Sequence, residues 1–144
     1  MEFTHSPANE MHGQFSPDGR FVAYSSNESG KFEVYVQTFP PSDRKWPVST
    51  GGGYEPRWRR DGRELYYLSE DRKLMALPIS IAPVFEAGTP KALFQTRVPE
   101  GVTPYRTNYV PSRDGQRFLV NTQNAETGPP SITVVLNWRA ALKK

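Results

Sequence analysis

Ser42 and Lys45 stand in the stretch Ser42-Asp43-Arg44-Lys45, the S-x-x-K spacing in which a lysine can take the proton of a nucleophilic serine. That chemistry needs a helical turn to hold the two side chains together. Here the stretch follows Pro40-Pro41 in a segment of loop composition, so nothing local would hold the pair. No G-x-S-x-G occurs, and the 2 histidines, His5 and His12, both lie near the N-terminus. A hydrolase of esterase type, with His12 or Ser42 in a site assembled at a channel or dimer interface, is the alternative to a non-catalytic reading. His5 and His12 are seven residues apart, which suits neither a helical nor a finger ligand set, and there are 0 Cys. No metal and no cofactor is expected.

Arginine offers a second chemistry. Arg57, Arg59, Arg60 and Arg63 form one group and Arg106, Arg113 and Arg117 another. The guanidinium fork suits carboxylates and phosphates, so an anionic small molecule or peptide is the expected ligand class. The competing reading pairs these residues with Glu55, Glu64 and nearby aspartates at solvated edges. The 15 acidic residues against 18 basic ones leave a net charge of +3, without a basic face carrying interleaved aromatics, so nucleic acid is not an expected partner. Gly51-Gly52-Gly53 is not followed by a Lys-Ser/Thr pair or a helix start, and reads as a strand crossing rather than a phosphate loop.

Both arginine groups flank one repeated element. FSPDGRFVAYSS (Phe15 to Ser26), WRRDGRELYYLS (Trp58 to Ser69) and PSRDGQRFLVNT (Pro111 to Thr122) share the order apolar residue, polar pair, Asp-Gly, polar residue, apolar run and closing Ser or Thr. Asp-Gly supplies the positive φ of a tight hairpin turn, and the flanks are rich in β-branched and aromatic residues. Asp18, Asp61 and Asp114 are expected to bond their own turn backbone.

Aligned on those aspartates, the chain divides into four-strand units. Strand one runs His12 to Ser16, Glu55 to Arg59 and Asn108 to Ser112. Strand two runs Phe21 to Ser25, Leu65 to Ser69 and Phe118 to Thr122. Strand three runs Glu33 to Phe39, Lys73 to Ser80 and Ser131 to Trp138. Strand four runs Lys45 to Thr50 and Lys91 to Thr96. The apolar runs of strand two lack period-two alternation, which predicts burial on both faces. Trp46, Trp58 and Trp138 fall at strand positions and are expected to pack between sheets.

A unit of about 40–45 residues is the size of a propeller blade. FSPDGRFVAYSSNESG followed by EVYVQTFP, then WRRDGRELYYLSEDRKLMALPI, resembles the TolB-like propeller repeat of bacterial proteins. The closing SITVVLNWRAALKK resembles the C-terminus of large propeller-bearing proteins of soil bacteria, some with a kinase domain upstream; kinase motifs are absent here. The resemblance implies an all-β fold of three four-stranded antiparallel blades, half of a six-bladed ring and the C-terminal half of a larger propeller. Residues 1–10 form a leader or closing strand, 11–50 blade 1, 51–96 blade 2, 97–138 blade 3 without its outer strand, and 139–144 a tail.

In such a ring strand one is innermost, which places His12, Gln14, Glu55, Arg57, Arg106 and Asn108 at or near the channel. Phe3 to Pro7 has the register of the missing fourth strand, so a homodimer closed by N-terminal strand exchange is expected. The chain lacks a run of about 18 apolar residues and a charged-then-apolar start, so no membrane partner is expected, and the compartment stays open.

Overall fold

A computed structural model describes residues 3–4, 6–123 and 131–136. His5, Trp138 and the tail 139–144 lie outside the described residues. The strands are β1 (Glu10–Phe15), β2 (Phe21–Ser26), β3 (Glu33–Thr38), β4 (Lys45–Pro47), β5 (Gly53–Trp58), β6 (Glu64–Ser69), β7 (Lys73–Ser80), β8 (Glu86–Ala87), β9 (Lys91–Gln95), β10 (Tyr109–Pro111), β11 (Arg117–Thr122) and β12 (Ser131–Leu136). They form three antiparallel sheets, β1-β2-β3-β4, β5-β6-β7 with β8 and β9 both on β7, and β10-β11-β12. These are successive propeller blades. Among the described residues none is helical.

The three Asp-Gly turns are built alike. Gly19, Gly62 and Gly115 take φ of 72°, 73° and 67°. Each donates its N–H to the residue three positions back, at 2.8 Å to Ser16, 2.9 Å to Arg59 and 2.9 Å to Ser112. Each aspartate accepts from the backbone two residues on: Asp18 from Arg20, Asp61 from Arg63, Asp114 from Gln116. The Ser16 and Ser112 hydroxyls donate to Asp18 and Asp114 at 2.6 Å. Hydrogen bonds from Ser112 and Gln116 hold Asp114 below the ordinary carboxylate value of 3.8. These aspartates serve their own turns.

One rule of facing runs through the repeats. Residues four and six after the turn aspartate, Leu65 and Tyr67 in blade 2, pack on blade 1 against Phe21, Ala23, Val34 and Val36. Residues five and seven after it, Tyr66 and Leu68, pack on blade 3 against Tyr109, Phe118 and Val120. Phe118 and Val120 are themselves the four-and-six pair of blade 3. Each sheet thus presents one face backward and one forward, because strand side chains alternate.

Strand two is buried on both faces in β2, and in β6 over Leu65 to Leu68, but not in β11. Phe118 and Val120 are buried, whereas the forward-facing Leu119 is 47% exposed. The expectation of two-sided burial fails there because no further blade lies ahead within the described residues. The sequence reading also misses β8. The segment after β7 turns back through Phe85, which lies 4.6 Å from Trp46 and 5.3 Å from Phe21, so an outer-edge excursion completes the blade 1–blade 2 core. Residues 3–4 and 6–9 are not in a strand. Instead Phe3 lies edge-on to Tyr24 at 5.7 Å and near Phe39 at 6.3 Å, on the backward face of its own blade 1.

Two outcomes are expected. Gly115→Ala lowers the melting temperature well beyond Gly19→Ala. Both incur the left-handed penalty of about 1–2 kcal/mol, but only at Gly115 would a Cβ stand 2.2 Å from the Tyr66 hydroxyl. The second concerns acid. A carboxyl depressed in the folded state stabilises it above the unfolded pKa, and this is lost as pH falls through the folded value. Ser112→Ala, which removes a cause of the Asp114 depression, should therefore lose less melting temperature than the parent between pH 7 and about pH 2.5.

Candidate functional site

The residue six positions before each turn aspartate is His12, Glu55 and Asn108. In blades 1 and 2 this position is a bulge: register slips between Met11 and Gln14 and between Tyr54 and Arg57, and His12 and Glu55 take φ of 59° and 55°. A bulge re-aims the side chain it carries. Glu55 is thereby turned into the blade 2–blade 3 junction, where it is 0% exposed. Its carboxylate accepts from the Asn108 backbone N–H at 2.8 Å and from Asn108 Nδ2 at 2.9 Å, with Arg57 Nη2 at 3.5 Å. Its carbonyl accepts from the Tyr109 hydroxyl at 2.8 Å, and its own N–H donates to Ser25 Oγ of blade 1 at 2.9 Å. One residue joins three blades. Burial, with the Glu55 charge adding to it, pushes the Tyr109 phenol well above its usual value, so that hydroxyl stays a donor.

The other channel candidates are engaged to different degrees. His12 places Nδ1 3.4 Å from Ser25 Oγ and Nε2 2.9 Å from the Thr103 carbonyl, so the β9–β10 connection reaches back to blade 1. The Gln14 carbonyl accepts from Trp58 Nε1 at 3.1 Å. The Arg106 guanidinium donates to Asn108 Oδ1 and to the carbonyls of Pro99, Glu100 and Gly101, bracing that connection. Arg57 differs, because its Nε is buried and has no hydrogen-bond partner among the described residues. Of the arginines around the second turn, Arg59 pairs with Asp61 and Glu64, each at 3.2 Å.

Ser42 and Lys45 do not meet. Lys45 Nζ lies 2.7 Å from both Glu28 carboxylate oxygens, while Ser42 Oγ pairs with Thr38 Oγ1 at 2.7 Å and accepts from the Arg44 N–H. His12 is engaged elsewhere, so the two residues offered for a hydrolase form no nucleophile–base pair. Among the described residues no group of three or more His, Cys, Asp or Glu could hold a metal ion.

The sequence reading passes over a cavity of about 560 Å³ at the end of the blades opposite the Asp-Gly turns. The β2–β3 and β6–β7 turns and the β4–β5 and β9–β10 crossings meet there. Lys31, Phe32, Tyr54, Glu70, Arg72 and Glu100 are among its lining residues. One signal was available. The β2–β3 turn closes on Gly30 with φ 98°, and the matching β6–β7 turn closes on Arg72 with φ 63°, a side chain where the repeat elsewhere places glycine.

Comparison with solved structures shows the same fold. TolB from Acinetobacter baumannii matches with a TM-score of 0.62 and 14% identity, over 95% of this chain and 31% of that one. An oligogalacturonate lyase from Vibrio parahaemolyticus matches with a TM-score of 0.57 and 13% identity, over 82% and 31%. A protein described as a 6-phosphogluconolactonase from Bacteroides uniformis matches with a TM-score of 0.52 and 18% identity, over 92% and 42%. The chain thus has the TolB-like propeller fold and spans about a third of the length of the first two. No family model matches the sequence, and neither does any curated protein.

Removing the Glu55 carboxylate tests the three-blade junction. Glu55→Ala leaves the buried Asn108 N–H and Nδ2 without their acceptor and should cost about 1–3 kcal/mol for each stranded donor. Glu55→Gln keeps one acceptor and should cost less. Urea unfolding of the three chains orders them.

Proposed function

We propose that the chain is a non-catalytic propeller module for binding and interaction, and that two copies complete a six-bladed ring. The observation that carries this is the forward face of blade 3. Val110 (47% exposed), Leu119 (47%), Ile132 (76%), Val134 (53%) and Leu136 (57%) share that face by strand register and stand in the place taken by Tyr66 and Leu68 in blade 2. The matching sheet face lies under Phe3 and Phe39. The backward face of blade 1 holds Val22, Tyr24 and Tyr35, with Phe15 59% exposed beside them. A forward face of one copy and a backward face of another have the relation found twice inside the chain. Three blades of a six-bladed ring span half a turn, so a two-fold axis makes both junctions at once.

Among the described residues β12 has β11 as its paired neighbour, which leaves room for a fourth strand from the partner's residues 3–7. That exchange requires Phe3 to leave Tyr24 and Phe39. In the closed ring the part-exposed guanidinium of Arg57, whose Nη2 lies 3.5 Å from Glu55, is the channel group offered to an anionic small molecule or peptide.

Light scattering over a dilution series tests the ring. The expected mass is twice the 16.3 kDa of one chain. The double variant Leu119→Asp/Val134→Asp should run as a folded monomer. Loss of the dimer on removing residues 1–8 would assign closure to strand exchange, and its survival would assign closure to the sheet faces. A monomeric parent chain at every concentration would overturn the proposal.

A further inference from the structure

The cavity opposite the Asp-Gly turns is lined, among the described residues, by a side chain on left-handed backbone, Arg72. A left-handed backbone costs a non-glycine residue about 1–2 kcal/mol, and outliers of this kind cluster at ligand sites. Of the three positive-φ non-glycine residues among the described residues, His12 and Glu55 are explained by the junctions they make. Arg72 is the third. Its Nη1 donates to the Val98 carbonyl at 3.3 Å, which orients the guanidinium, and it lines the cavity.

Charges around the cavity come in loose pairs. Lys31 Nζ lies 3.6 Å from Glu70, and Arg72 Nη2 lies 3.6 Å from Glu100. Neither separation is a hydrogen bond. Both acids are well exposed, and pairs of this kind contribute about 0–1 kcal/mol. Elsewhere the chain builds closer ones, as between Lys45 and Glu28 at 2.7 Å. Each pair offers a cation and an anion that could be given up to a ligand at little cost. Phe32, Tyr54 and Val102, members of one apolar cluster, also line the cavity. The volume falls within the range of small-molecule sites, about 300–1,000 Å³.

We infer that this cavity binds a zwitterionic ligand with an apolar side chain, the chemistry of a free dipeptide. The carboxylate is taken by Arg72 and Lys31, the ammonium by Glu100 and Glu70, and the side chain lies on Phe32 and Tyr54. The lining residues come from the β2–β3 and β6–β7 turns and the β4–β5 and β9–β10 crossings, away from the forward face of blade 3 that the ring would use.

Calorimetric titration of the full chain with Ala-Phe, Ala-Leu, Val-Phe and Leu-Leu tests this, alongside N-acetyl and C-terminal amide forms of whichever binds. Binding by the free dipeptides, weakened about tenfold or more by either cap, is expected from the loss of one charge-assisted contact. Arg72→Gly should weaken binding to a similar degree while its melting temperature holds or rises, because glycine relieves the left-handed strain. The Leu119→Asp/Val134→Asp monomer should bind as the parent does, which separates this site's failure from that of the ring. No binding by any of the four dipeptides, equal binding of both capped forms, or parental affinity in Arg72→Gly would overturn the assignment.

Discussion

A β-sheet with two apolar faces is stable in water only when something apolar lies against each. Blade 2 meets that condition fully, with blade 1 packed on Leu65 and Tyr67 and blade 3 on Tyr66 and Leu68. The outer blades meet it on one side. Blade 1 recruits Phe3 and Phe39 to cover Val22, Tyr24 and Tyr35, a local substitute for a preceding blade. Blade 3 has no such cover, and its forward face carries five of the eight exposed large hydrophobic residues, among the described residues. Exposed patches of this kind mark interaction surfaces.

Stacking alone leaves rotation between sheets loosely specified, since apolar contact has no direction. Polar anchors supply it. Glu55 binds Asn108 of the next blade through two hydrogen bonds and the Ser25 hydroxyl of the previous one through its N–H, and Trp58 Nε1 reaches the Gln14 carbonyl across the blade 1–blade 2 junction. A buried carboxylate is costly unless its acceptor capacity is used, and here it is used. The bulges at His12 and Glu55 make these reaches possible, so local backbone strain is coupled to the placement of whole blades.

The same coupling sets how the innermost-strand residues are engaged. Alternation along strand one predicts side chains pointing inward by turns. A bulge resets the alternation, which turns Glu55 into the blade 2–blade 3 junction. Arg106 is likewise drawn into bracing the connection before β10. Loop carbonyls are strong acceptors that sequence alone does not place. Ser42 and Lys45 are separated for a related reason, because Glu28, 17 residues upstream of Lys45, is a nearer partner in space.

What this sequence determined by itself was periodic and local. Three Asp-Gly turns, the apolar runs after them and their spacing were enough for an all-β fold in blades, because a hairpin needs only its own residues. The aspartates' service to their own turns was legible for the same reason. Tertiary structure decided what rests on residues far apart in the chain: the burial of Glu55 against Asn108, the return of Phe85 onto Trp46, and the cavity that joins Arg72 to Lys31 and Glu100. Those depend on where bulges and crossings send the backbone. A repeat pattern fixes the shape of each blade but carries no information about which side chain a neighbouring blade will present.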